Sequence, residues 1–158
     1  MSLVTRSRAA AAAVAAATVL SLAVAPAASA APFMVKGNNP SLSDWTAQMK
    51  YLLNPKTPDS ALAINLESGK DGVPAAKFFR AMGNRNANWK WEFQGPTKTT
   101  GNISTAMFHQ SAPGYPTVTK PAKWKKINGN WRISNETLCH YIGAYNICLL
   151  YTSPSPRD

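Results

Sequence analysis

Enzymatic chemistry needs positioned acids, bases or nucleophiles, and these are sparse here. Apart from Asp158 at the last position, the carboxylates are Asp44, Asp59, Glu67, Asp71, Glu92 and Glu136. Asp44 and Glu136 fall where the first turns of helices are expected, and a helix N-terminus favours a carboxylate without any functional demand. Glu92 lies among lysines on the polar side of an expected strand. Glu67 stands at an expected helix end, where bonding to nearby backbone accounts for it. The histidines are equally scattered. His109 is on an expected strand. His140 follows Cys139 on an expected helix, where adjacent side chains point about 100° apart and cannot form a ready-made dyad. Cys139 with two separated histidines does not make a zinc or copper site. There is no nucleophile elbow and no glycine-rich phosphate cradle. This inventory leads to no catalytic residue, no metal and no cofactor.

The denser chemistry is basic and aromatic. Lys120, Lys123, Lys125 and Lys126 interleave with Trp124 and are followed by Trp131 and Arg132. Lysines around an exposed indole suit sugar stacking combined with anionic groups, or a membrane interface. Lys123 and Lys125 also share one strand face, and that face could equally be the solvent side, with Lys marking an edge against aggregation. A pocket reading stands beside the surface reading. In it Trp91 and Phe108 wall a space between helices and sheet, and Glu67 or Asp71 acts as base.

Both ends of the chain read differently from its middle. Arg6 and Arg8, the alanine-rich run Ala9–Val24 and the small residues Ala28-Ser29-Ala30 are the three parts of a secretory signal peptide, with cleavage expected after Ala30. No cysteine follows the run, which argues against a lipoprotein. Cys148–Asp158 translates a string resembling a transposon mosaic end followed by a sequencing-library adapter, so the natural frame is expected to be interrupted near Ile147. On that reading Cys139 stands without a genuine Cys148 partner and is expected as a small buried apolar side chain. Removing Arg6, Arg8, Arg157 and Asp158 from the 17 basic and 7 acidic residues leaves 14 and 6, a net charge of +8. An exported chain this basic is drawn to anionic surfaces such as wall polymers, acidic lipids or lipoglycans, whereas export argues against nucleic acid. Nothing after the leader is apolar enough to span a membrane.

The elements that must position these residues follow from pattern and punctuation. Residues 31–40 read as a linker rich in Pro, Gly and Asn. Ser41 and Asp44 have capping-box spacing, Leu42, Trp45, Met49, Leu52 and Leu53 form one apolar stripe, and Asn54-Pro55 stops that helix. Ser60–Leu66 makes a short second helix. A third has Pro74 in its first turn and Gly83 as C-cap. Trp89, Trp91 and Phe93 then alternate with polar residues as in a half-buried strand. Ile103–His109 is a second strand. Thr117–Ile127 and Asn130–Ser134 form a hairpin through Asn128-Gly129, with Pro121 requiring a bulge or an edge. Ser134 or Asn135 caps a last helix bearing Leu138, Ile142 and Tyr145. Helices first and an antiparallel meander after make an α+β fold: N-terminal helices on a curved sheet of about four strands, with a short C-terminal helix, in one domain over residues 41–147. Trp45, Leu52, Phe78, Trp91, Phe108, Trp124 and Trp131 are the expected core.

The Pro-led helix with its Leu-Leu end, then Leu66-Glu67-Ser68-Gly69, then Gly129-x-Trp131 with Ser134 and a short Leu-containing helix, resemble the small secreted low-molecular-weight antigens of actinobacteria. The similarity covers most of Pro40–Ala144. It implies secretion, a cystatin-like or nuclear-transport-factor-like fold of helix on curved sheet, and recognition as an antigen. It implies no reaction. This chain departs from the pattern in being more basic, richer in Trp and interrupted at its C-terminus. The function expected is therefore that of an exported, non-catalytic domain that binds anionic envelope or extracellular material through Lys120, Lys123, Trp124, Lys125, Lys126 and Arg132. The alternative is an apolar carrier or enzyme built around Glu67, Trp91 and Phe108.

Overall fold

A computed structural model describes residues 32–142; the leader, the tail after Ile147 and Tyr145 lie outside the described residues. Helix α1 (Leu42–Leu53) begins at the expected capping box: the Ser41 hydroxyl accepts from Asp44 N–H at 3.3 Å, and the Asp44 carboxylate accepts from Ser41 N–H at 2.7 Å. It buries Trp45, Gln48, Met49 and Leu52, the i, i+3, i+4, i+7 face of an amphipathic helix. Helix α2 (Asp59–Ile64) is followed by a 3₁₀ turn at Gly69–Gly72 and by α3 (Val73–Arg85). Gly83 is a correction. It lies inside α3, which runs on to Asn86 as its C-cap. A Cβ at Gly83 would stand 2.6 Å from Cζ3 of Trp89, so this glycine is there for a close approach and not for a helix stop.

The four strands β1 (Lys90–Thr100), β2 (Ile103–Ser111), β3 (Val118–Ile127) and β4 (Asn130–Ile133) form an antiparallel meander in sequence order. Asn128 (φ 51°) and Gly129 (φ 78°) both occupy the left-handed region in the β3–β4 turn, as a tight hairpin with right-handed strand twist demands. The β2–β3 register passes unbroken through Met107↔Pro121. Among the described residues β4 pairs with Trp124–Ile127 and no strand flanks Pro121 on its other side, so its missing N–H costs no ladder bond there. The irregularity falls instead in β1, between Gln94 and Lys98, where Gly95 has φ 76°.

Helix α4 (Asn135–Ile142) takes over where β4 stops. The Thr137 hydroxyl accepts from Lys123 N–H at 2.6 Å and lies 3.1 Å from the Lys123 carbonyl, to which Ser134 N–H also donates at 3.0 Å. The β3 backbone groups that lose β4 are thereby satisfied. Thr137 N–H donates to the Ser134 hydroxyl at 3.1 Å, which makes Ser134 the cap. Residues 32–40, expected as a linker, are docked along the far edge of β4. Val35 is buried and its carbonyl accepts from Trp131 N–H at 2.9 Å, while the Trp131 indole N–H donates to the Gly37 carbonyl at 2.9 Å. Ile133 N–H donates to Asn65 O on the same edge. Covering this edge removes a template for unwanted strand pairing.

Helices cover one face of the sheet. On that inner face Trp45 stacks on Trp124 with centroids 4.1 Å apart and planes 11° apart, and meets Trp131 edge-on at 5.9 Å. Phe93 and Phe108 extend the cluster. Such pairs add about 0.5–1.5 kcal/mol each beyond the area they bury. Phe78 and Trp91, expected in the core, are only partly buried at its border. Cys139 is disulfide-bonded, which corrects the expectation of an unpaired thiol; its partner lies outside the described residues.

Candidate binding surface

Strand alternation assigns each candidate residue to a face. The inner face carries Trp91 and Phe93, Ser104, Ala106 and Phe108, then Ala122 and Trp124. Trp124 is 1% exposed and donates its indole N–H to Gln48 Oε1 at 2.8 Å. It is therefore a core residue and cannot present an indole among the lysines, which corrects its assignment to the binding surface. The physical reason is parity: in a strand, a residue flanked by solvent-side lysines at i−1 and i+1 points the opposite way.

Among the described residues no helix lies over the outer face. Its residues on β1 to β4 include Glu92, Lys98, Ile103, Met107, Pro121, Lys123, Lys125 and Arg132, and all of them are exposed or half-buried. Cross-strand register places Lys98 opposite Thr105 and Thr105 opposite Lys123. One step along, Ile103 pairs with Lys125 and Lys125 with Arg132. Like charges directly opposite each other are destabilising. Two carboxylates relieve them. The Lys125 ammonium pairs with Glu67, and Lys123 lies 2.8 Å from both Glu136 oxygens. Lys120 is exposed near the start of β3, and Lys126 sits on the inner side of the hairpin, 5.7 Å from the Trp131 ring centroid and 2.8 Å from Asn38. The structure thus groups Lys123, Lys125 and Arg132 on one face and leaves Lys120 and Lys126 at its borders. The Arg132 Nε is buried without a hydrogen-bond partner among the described residues.

Glu67 is accounted for by structure. Its Oε2 accepts from Asn135 N–H at 2.8 Å while Oε1 takes Lys125, so it anchors the N-terminus of α4 to the sheet. Phe108 is 1% exposed. Glu67 is thus occupied by Asn135 and Lys125, and Phe108 is packed in the aromatic cluster. Asp71 is exposed on the 3₁₀ turn. His109 Nδ1 lies 2.8 Å from the Thr119 hydroxyl on the outer face. Among the described residues, no group of three His, Cys, Asp or Glu comes together as a metal site, and no helix is long and apolar enough to cross a membrane.

Sequence reasoning missed the half-buried aromatic Trp89 and its surroundings. Trp89 lines three adjoining clefts of about 180, 270 and 410 Å³. Its indole N–H donates to Gln110 Oε1 at 3.2 Å, and Tyr115 nearby is 73% exposed. Alternation placed Trp89 inside the first strand, whereas it precedes β1. Only the absence of a Cβ at Gly83 explains how its ring lies against α3.

No curated protein matches the chain significantly. The family model for the low molecular weight antigen MTB12, C-terminal domain, matches residues 38–146. Those residues run from the segment docked on β4, through the helices and the meander, to beyond the end of α4. The chain belongs to the low molecular weight antigen MTB12 C-terminal-domain family.

Proposed function

We propose that this chain is an exported, non-catalytic domain that holds densely anionic envelope or extracellular material against the outer face of its sheet. The observation that supports this reading is a sheet face, open among the described residues, on which Lys98, Lys123, Lys125 and Arg132 line up across strands with two described carboxylates paired to them. With 14 basic against 6 acidic side chains between residues 31 and 147, the field of the whole domain reinforces that face. Ile103 and Met107, 40% and 39% exposed, add apolar contact between the cations. The shared ligand chemistry is a repeating phosphate or carboxylate, whether on a lipid surface or on a wall polymer.

Lys98 and Arg132 are the outer-face residues to test, because Lys123 and Lys125 also hold Glu136 and Glu67 in place. A Lys98→Gln/Arg132→Gln variant should keep the fold. Each Lys or Arg near an anionic membrane surface contributes about 1 kcal/mol, so vesicle binding should weaken about 30-fold. Phosphatidylglycerol and phosphatidylcholine vesicles, with an anionic wall polymer in parallel, separate the two sources of charge. Retention that ignores both 0.5 M salt and this variant would sink the proposal.

A further inference from the structure

Trp89 is held in an unusual way for a half-buried indole. Behind it, Gly83 offers no Cβ, and Phe79 meets it edge-on at 5.8 Å and 89°. At its rim, Gln110 Oε1 takes the indole N–H and leaves the amide Nε2 without a partner among the described residues. Trp91 lies 6.3 Å away at a 39° tilt and does not stack on it. The ring is thus fixed by its back and its N–H while three clefts open around it. A rigid aromatic plate whose orientation is set before any ligand arrives loses little freedom on binding.

The lining of these clefts narrows the ligand. Each holds at least one side-chain amide beside the aromatics: Asn86 and Gln110 in one, Gln110 next to Tyr115 in the second, and Asn84 with Asn86 next to Trp91 in the third. Among the described residues no carboxylate lines any of the three, and Lys50 is their one cation. A polyanion would be poorly served by a single cation, and an alkyl chain would leave the amides unpaired at a cost. A sugar ring meets both demands, with its C–H face laid on an indole and its hydroxyl rim against amides that both donate and accept.

We propose that the trough around Trp89 is a binding site for neutral glycan chains, with Trp89, Trp91 and Tyr115 as stacking surfaces and Asn86 and Gln110 as hydroxyl partners. The trough is separate from the basic sheet face, and salt tells the two apart: binding of a neutral sugar is unaffected by ionic strength, whereas the sheet face loses its ligand.

The test is titration of the full chain with soluble neutral hexasaccharides of β-linked glucose, xylose and N-acetylglucosamine, read by tryptophan fluorescence and by indole N–H chemical shifts. At least one should give saturable binding that persists in 0.5 M salt and moves the Trp89 signal while leaving that of the core residue Trp124. Tyr115→Ala removes an exposed ring without touching the core and should weaken binding about tenfold. Trp91→Ala should do at least as much, with the unperturbed Tyr115→Ala variant deciding the matter if Trp91→Ala fails to fold. Absence of saturable binding across the panel overturns the proposal. So does binding that Tyr115→Ala leaves unchanged, binding abolished by salt, or uptake of dodecanoate in place of every sugar.

Discussion

Gln48 is the polar residue on which the tryptophan core closes. It is 1% exposed, and its amide spans three elements: Nε2 donates to Asn65 Oδ1 at 2.9 Å and to the Trp131 carbonyl at 2.8 Å, while Oε1 accepts from the Trp124 indole. Asn65 continues the network to the carbonyls of Phe33 and Ala61. A buried donor or acceptor left without its partner costs about 1–3 kcal/mol. Gln48→Leu keeps similar bulk but orphans the Trp124 N–H, the Trp131 carbonyl and an Asn65 oxygen. The expected loss is about 3 kcal/mol or more in urea unfolding, well above that of an exposed control such as Lys50→Leu. In the sequence, Gln48 is a polar residue beside an apolar stripe. Its partners lie 17 to 83 residues away, so nothing local could have marked it.

Among the elements, α4 depends most on groups outside itself. It is short, and helices of this length are marginal without tertiary support. Ser134 caps it, Thr137 ties it to β3, and Glu67 binds its first N–H and Lys125 together. Glu67→Gln keeps a weak acceptor and removes the charge facing both the helix terminus and Lys125. Because Lys125 is 43% exposed, solvent screens much of the ion pair, and the expected loss is only about 1 kcal/mol. The distinguishing readout is local: amide hydrogen exchange should quicken in α4 while the protection of β2 stays unchanged. Equal quickening in both elements would refute this anchoring role. The capping box of α1 and the Asn-Gly hairpin were readable because their causes lie within four residues of one another. The end of α3 was not, because Gly83 answers to a ring six residues away in the chain, past the helix end.

At the scale of the molecule, pH acts through Tyr141. Its ring is packed against Phe79 and Phe108, 5.5 and 4.6 Å away, and burial holds its phenol above its ordinary value of 10.0. A group whose pKa is raised on folding contributes stability that is complete below its unfolded pKa and lost as pH climbs toward the folded one. The loss should therefore begin at about pH 10. The Tyr141 hydroxyl has no hydrogen-bond partner among the described residues, so Tyr141→Phe should unfold at the same or higher urea concentration at pH 7 and lose less stability than the wild type between pH 9 and pH 11. A variant that falls as steeply as the wild type over that range would assign the alkaline loss to other groups.

Composition, charge and short-range pattern are properties of the chain itself. They were enough to establish an α+β order of helices and meander, the α1 cap, the β3–β4 turn and a strongly basic domain, because each depends on neighbours in sequence or on a simple count. Which side of a strand faces the helices depends on what packs above it, and there tertiary structure decided. It turned Trp124 inward while leaving Lys123 and Lys125 on the open side. It gave Glu67 to a helix terminus, and docked residues 32–40 on the edge of β4. It also gathered Trp89, Asn86, Gln110 and Tyr115, from separate segments, into one trough. Burial and hydrogen-bond partnership are relations between distant segments, and they come into being only when the chain has closed on itself.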